Sequence, residues 1–223
     1  MTSAETRYDP LIQRVLASEE AALAELFDKH RPRLRRMVDL RMDHRLHARV
    51  DASDVLQEAY LDLAQELPEY AKQQKFPFFL WLRLVTGQRL AQFHRKHLGA
   101  AMRNADLEVS LYRKAMPQVS TFFLASRLMG QFTSVSQKAM RAEMQVKLQE
   151  VLNAMDPNDR EVLALRHFEE LSNEEIAQVL EISKSTASKR YIRALRRLKG
   201  TLEQIHGFRT ETIITNEPDR DKK

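Results

Sequence analysis

The side chains best suited to chemistry in this sequence are charged, and they come in runs of one sign. Lys184, Lys189, Arg190, Arg193, Arg196, Arg197 and Lys199 follow one another with no Asp or Glu between them. Ala187, Ala194, Leu195 and Leu198 recur among them at helical spacing, which predicts an amphipathic helix with one basic face. Short polar residues stand near its start. Ser185, Thr186 and Ser188 could reach phosphates or base edges in a major groove. Lys189 and Arg193, four apart on one face, could donate to guanine, with Arg190 beside them. The segment before supplies the rest of a motif. Ser172 and Glu175 form an S-x-x-E capping box that starts a helix at Asn173 and carries it to about Leu180. Ile176, Ala177 and Leu180 face inward, Ile182 plugs the turn, and Ser183 or Ser185 can cap the second helix. The pattern is a helix-turn-helix. A membrane-surface helix is the competing reading of the basic segment, but it leaves the capped helix without a role.

Two further runs lie upstream. Asp51, Asp54, Glu58, Asp62, Glu66 and Glu69 follow one another with no Lys or Arg among them. Four are spaced by four and share a helical face, where like charges each cost about 0.2–0.5 kcal/mol. Either a basic protein partner offsets that cost or the face is simply solvated. Then the sign reverses. Residues 70 to 105 hold Lys72, Lys75, Arg83, Arg89, Arg95, Lys96 and Arg103 and no acid. Tyr70, Phe93, Gln88 and Gln92 are interleaved with them, and aromatic faces plus amides suit contacts to unpaired bases. Adjacent surfaces of opposite sign point to two different partners, a basic protein and a nucleic-acid backbone.

Catalysis finds little support. Of the seven histidines, His94 and His97 fall inside the basic stretch, where phosphate contact or solvation outranks metal ligation. No Ser or Cys nucleophile motif and no glycine-rich phosphate loop occurs. A protein that is not an enzyme is expected, with no cofactor, no metal and no small-molecule substrate. The chain lacks cysteine, which excludes disulfides and cysteine-ligated zinc and is compatible with a reducing cytoplasm. No apolar stretch approaches the roughly 20 residues that span a bilayer, so no membrane insertion and a cytoplasmic location are expected.

The elements that must position these residues are helical. Only five glycines and seven prolines are spread over 223 residues, of which 43% are apolar, and the expectation is an all-α protein. The net charge of +5 mildly favours anionic partners. Leu23, Leu26, Phe27, Leu34, Met37, Val38 and Leu46 predict helix over 11–46, with Pro32 either kinking it or opening a new first turn. Asp51 with Asp54 reads as an N-cap, so another helix starts near Ala52. Its stripe is Val55, Leu56, Ala59, Leu63 and Leu67, and Pro68 is expected to end it. Phe76, Phe78, Phe79 and Trp81 open a third helix reaching about Gly99, their rings read as core. Periodicity weakens over 100–136, which reads as a linker that retains Phe122, Phe123, Leu124, Leu128, Met129 and Phe132 and could lie on a partner or form a short helix. Regular patterning resumes at Ala139. Asp156 as cap and Pro157 at the first helical position start the helix before the helix-turn-helix. The tail after His206 is polar and expected to be disordered.

With these pieces in view, the chain resembles the extracytoplasmic-function group of bacterial sigma factors, the smallest members of the sigma-70 class, over most of residues 20 to 205. DASDVLQEAYLDL looks like the part of sigma region 2 that grips RNA polymerase. FFLWLRLVTGQRLAQFHRK looks like its promoter-melting and minus-10-reading part, and MDPNDREVLALRHFEELSNEEIAQVLEISKSTASKRYIRALRRL is similar to region 4. The resemblance implies two helical domains joined by a long linker: an N-terminal segment 1–20, region 2 over 21–103, a linker over 104–145, region 4 over 146–205 and a tail over 206–223. It assigns Asp54, Gln57 and Glu58, with Asp51 beside them, to core polymerase. Gln88, Gln92, Arg95 and Lys96, with Arg89 among them, fall where the family reads the minus-10 element, and Tyr70 and Lys72 belong to the loop that helps capture a flipped base. Lys184, Ser185, Thr186, Ser188, Lys189, Arg190 and Arg193 fall where it meets the minus-35 element. The implied partners are core RNA polymerase and promoter DNA, with an anti-sigma protein as a further candidate. Departures exist: Gln88 and Gln92 stand where many members have Asn and Asp, and Ser188-Lys189 replaces the common Arg-Ser or Lys-Ser pair. The rival reading is a stand-alone helix-turn-helix regulator that binds an operator as a dimer.

Overall fold

The structure, a computed structural model, describes residues 10–17, 19–46, 49–98, 116–131 and 138–202. The described residues form nine helices and no strand. In chain order they are α1 (Pro10–Leu16), α2 (Glu20–Arg41), α3 (Ala52–Gln73), α4 (Phe78–Leu98), α5 (Thr121–Gln131), α6 (Lys138–Ala154), α7 (Pro157–His167), α8 (Asn173–Leu180) and α9 (Lys184–Leu202). Positions 1–9 and 206–223, the start and the tail expected to be disordered, lie outside the described residues.

Helix starts follow the local chemistry read from the sequence. Asp51 accepts from the Ser53 and Asp54 amides, and Asp54 in return accepts from the Asp51 amide at 2.8 Å, a complete capping box. Ser172 and Glu175 do the same for α8, at 3.2 and 2.8 Å. Of the two candidate caps for α9, Ser183 is the one used: its Oγ accepts from the Thr186 amide at 3.1 Å. Helix ends were less legible. Pro68 was expected to stop α3, yet the helix runs through it to Gln73 and ends where Gln74 takes a left-handed conformation, φ 41°. The lost N–H removes one bond of the ladder. Leu67 and Tyr70, buried on either side, tie the continuing turn to the core. Pro32 likewise lies inside α2, whose next turns bury Leu34, Met37 and Val38.

Helices α1 to α4 pack around Leu23, Leu26, Leu34, Met37, Val55, Leu56, Leu63, Phe78 and Leu82, all at most 2% exposed. The aromatic run is core, as its residue types predict. Phe78, Phe79 and Trp81 are buried, and Trp81 stacks on Tyr70 with ring centroids 4.2 Å apart. Helices α6 to α9 surround Leu148, Leu152, Val162, Leu163, Leu165, Ile176, Ala187 and Ala194. Helix α6 starts at Lys138 and so runs through position 146, where the second domain was expected to begin.

Of the segment expected as linker, residues 116–131 carry α5 and pack on the first helical group, and 104–115 and 132–137 lie outside the described residues. Leu124, Ala125 and Leu128 are buried, the Ser120 amide donates to the Leu40 carbonyl at 2.8 Å, and Arg127 pairs with Asp39 at 2.9 Å. Gly87 of α4 is crowded from the same side: a Cβ there would meet Met116 Cε at 2.3 Å.

The two helical groups also touch directly. Arg33 and Arg36 of α2 donate to the carbonyls of Glu169 and Phe168 at 2.9 and 2.6 Å. Arg41 Nη1 lies 2.5 Å from Glu169, and Arg83 Nε donates to the other Glu169 oxygen at 2.5 Å. Arg41 also pairs with Glu161. Arg41 and Glu169 are wholly buried and Arg83 nearly so. Burial works against charge on Arg41, but Glu161 and Glu169 outweigh it and hold its pKa above the ordinary value. Burial likewise opposes the Glu169 carboxylate, and the two guanidiniums overcome it and hold its pKa low.

Candidate nucleic-acid and polymerase interfaces

Helix α9 presents the side chains a recognition helix needs. Lys184, Ser185, Lys189 and Arg193 are exposed, and Thr186, Ser188 and Arg190 are half-buried. The polar start of the helix is organised from within. Ser183 Oγ contacts the Thr186 hydroxyl at 2.8 Å and the Ser185 hydroxyl at 3.1 Å, and the Asn173 side-chain amide donates to Ser188 Oγ at 3.0 Å. Tyr191 turns inward, its hydroxyl 3.0 Å from His167 Nε2.

Asp159 is the contributor that sequence reasoning missed. Its carboxylate, 1% exposed, accepts two bonds from Arg193 at 2.7 and 2.6 Å and one from Arg190 at 3.3 Å. These bonds hold the Arg193 pKa above the ordinary value. A bidentate pair fixes the guanidinium plane, so Arg193 leaves the helix in a set direction while its side chain stays 53% exposed. Asp159 lies 34 residues from Arg193 in the chain. No local spacing announces that pairing; the residue reads only as an acid in the first turn of α7.

On α4, Gln88, Gln92, Arg95 and Lys96 are exposed along one side. Arg89 is different. It donates to Asp62 at 2.6 Å and to Glu58 at 3.1 Å, and these bonds, Asp62 first, raise its pKa. The acidic stripe of α3 is thus partly neutralised from inside the molecule, an answer different from both a basic partner and a solvated face. Asp51, Asp54, Gln57 and Glu58 are exposed, as is Leu61 at 61%. Glu66 keeps the cost of its place: burial, then neighbouring Asp62, pushes its pKa up.

Tyr70 and Lys72 part company. Lys72 is exposed, whereas Tyr70 is 9% exposed, stacks on Trp81 and donates its hydroxyl to the Phe76 carbonyl at 3.0 Å. Burial pushes its pKa up to about 12. His94 is also an interior residue, accepting from the Asp43 amide at 3.2 Å. Among the described residues no group of three or more His, Asp or Glu could hold a metal ion, and no helix is long and apolar enough to cross a membrane.

Residues 145–198 match the family model described as sigma-70, region 4. Over 199 residues the chain is 28% identical to the ECF RNA polymerase sigma factor SigD of Mycobacterium tuberculosis, with 89% of this chain and 85% of that protein covered. The same figures hold for SigD of Mycobacterium bovis. Residues 145–198 are thus similar to sigma-70 region 4, and over most of its length the chain is similar to extracytoplasmic-function sigma factors. Among solved structures, CnrH in complex with the cytosolic domain of CnrY is similar in fold, with a TM-score of 0.50, 18% identity, and coverage of 87% of this chain and 96% of that one. The described residues are all helical, and the helix-turn-helix of α8 and α9 lies within the segment that matches region 4.

Proposed function

We propose that the exposed ridge of α3, with Asp51, Asp54, Gln57 and Glu58, docks this sigma factor on core RNA polymerase, while α4 and α9 hold the two promoter elements. In this reading residues 21–103 form region 2 and residues 146–205 form region 4, joined through 104–145. Gln88, Gln92, Arg95 and Lys96 meet the separated minus-10 strand, and Arg89 acts mainly by fastening α4 to the acidic ridge. Lys72 adds a charge at the entry to this surface. Tyr70 contributes by bracing Trp81 and Phe76, since its ring has no free face in this arrangement. At the minus-35 duplex, Lys184, Ser185 and Thr186 contact the backbone at the helix start. Ser188, Lys189 and Arg193 face the base edges, with Arg190 behind them.

The observation that carries this reading is the α8–α9 unit. A capped first helix, a turn through Glu181 with φ 54°, and a second helix with an exposed basic face backed by Asp159 form a device for entering a major groove. CnrH was captured with a protein partner; a protein that restrains this chain, of the anti-sigma kind, is part of the same proposal. The docking half is tested by Gln57→Lys with Glu58→Lys. The double variant should lose core polymerase in a pull-down while keeping the helical circular dichroism of the parent. Undiminished capture would refute the assignment of the ridge.

A further inference from the structure

Arg190 and Arg193 stand on the basic side of α9, and both are tied to one carboxylate behind them. Asp159 Oδ2 accepts from Arg193 Nε at 2.7 Å, and Oδ1 accepts from Arg193 Nη2 at 2.6 Å and from Arg190 Nη1 at 3.3 Å. Asp156, the N-cap of α7, accepts from Arg190 Nη1 as well, also at 3.3 Å. These bonds draw the half-buried Arg190 back toward α7, whereas Arg193 projects with its side chain 53% exposed.

Asp159 is placed to hold a direction. Its carboxylate is buried, it stands in the first turn of α7, and its amide donates to the Asp156 carbonyl at 3.0 Å. Helices α7 and α9 are tied again at the far end of α7, where the Tyr191 hydroxyl meets His167 Nε2 at 3.0 Å. A carboxylate in this position does not help a basic helix to bind DNA in general, because it repels phosphates whatever the sequence. What it supplies is geometry.

That geometry selects a base. An arginine offers its donors in a planar fork, with a side edge of Nε and Nη2 and an end edge of Nη1 and Nη2. Asp159 occupies the side edge of Arg193. The end edge, one N–H from each terminal nitrogen, remains for a ligand, and its spacing matches the O6 and N7 acceptors that guanine presents in the major groove. Adenine sets a donor beside its N7 and cytosine offers a donor, so both are mismatched to that edge. We propose that Asp159 is a positioning residue that determines specificity at the minus-35 element: by holding the side edge of Arg193 it commits the end edge to one guanine.

The inference rests on the reading of α9 as the partner of the minus-35 duplex, and its test separates the two. Core polymerase carrying the full-length chain selects bound duplexes from a promoter-length library randomised over its upstream half, and the selected sequences are read. The parent should enrich guanine at one upstream position by about tenfold. Asp159→Asn should remove most of that enrichment and leave the other selected positions in place. It should also bind the unselected library at least as tightly as the parent does, because a negative charge near the phosphates is gone. Arg193→Ala should lose the same position, and adding Asp159→Asn to it should change the selected element no further. Guanine enrichment that survives Asp159→Asn, or a second loss in the double variant, overturns the proposal. So does an equal fall in capture of every sequence, which would mark a phosphate contact or a structural tie. Two measurements stand if Asp159→Asn fails to fold. Arg193→Lys keeps the charge without the fork and should lose the guanine while retaining bulk binding. In the parent chain the Arg193 Nε proton, followed by nitrogen-edited NMR, should exchange with water more slowly than that of the exposed Arg196. A lysine that keeps the guanine, or equal exchange rates, overturns the proposal. A parent that selects no upstream element contradicts the minus-35 reading and the inference together, whereas a selected element indifferent to Asp159 defeats the inference alone.

Discussion

A single carboxylate shows how far a residue's role depends on a partner distant in sequence. Asp159 orients Arg193 and reaches Arg190, so the guanidinium that the proposed minus-35 contact would use is already fixed in direction. Lys189→Ala and Arg193→Ala should each cost about 1–3 kcal/mol at the cognate minus-35 site if they read bases. A binding titration against scrambled duplexes checks this, since equal losses on every sequence would mark phosphate contacts. The Ser172 cap makes a different prediction. Its Oγ and the Glu175 carboxylate satisfy amides at the start of α8, so Ser172→Ala should lower stability by about 1 kcal/mol in denaturant unfolding. His94 and His167 add a pH dependence. Burial, the largest cause at both sites, holds His94 and His167 below their ordinary pKa of 6.5. Both are neutral in either state above that value. Below it the unfolded chain takes up protons that the folded chain refuses, so stability should fall as pH drops from about 7.5 to about 5.5. Replacing both histidines by glutamine should flatten that part of the profile.

At the scale of elements, legibility followed whether the deciding interaction was local. Capping boxes at Asp51 and Ser172, the Asp156–Pro157 start of α7 and the apolar stripes of α3 and α9 depend on neighbours within one turn, and each stood in the sequence. The end of α3 did not. Proline stops a helix when nothing beyond it is anchored, and the anchoring of Leu67 and Tyr70 is a tertiary fact. Tyr70 itself carried an ambiguous signal, because an aromatic ring beside basic residues suits stacking on a base or stacking on Trp81 equally well. Helix α5 was legible only as retained apolar residues inside a weakly patterned stretch. The surfaces differ in what salt should do to them. Lys184, exposed at the start of α9, is expected to hold a phosphate. Lys184→Ala should therefore weaken all duplexes alike and lower the salt dependence of binding by about one counterion, read as the slope of log K against log salt.

Across the whole molecule, the charge runs that opened the reading have internal as well as external uses. Arg89 answers the acidic ridge from α4, and Arg41 and Arg83 answer Glu169 from the other helical group. The latter pairing was beyond reach of the sequence, since Arg83 and Glu169 are 86 residues apart and Arg83 stands in a basic run that reads as facing a nucleic acid. It should also respond to acid. The Glu169 pKa is depressed in the folded chain, so its contribution is present above the ordinary 4.5 and is lost as pH falls through the lower folded value. Acid below pH 4.5 should therefore weaken the contact between the two helical groups, seen as a loss of stability in denaturant unfolding.

The central claim is that this chain confers promoter choice on RNA polymerase. Its most direct test is transcription of native genomic fragments by core polymerase with and without the purified chain, with start sites mapped. A discrete set of new start sites preceded by two shared sequence elements is expected. Changing Arg193 should alter the choice among them, and Gln57→Lys with Glu58→Lys should abolish them all. Transcripts unchanged by the chain, at low salt and with no inhibitor present, would contradict it.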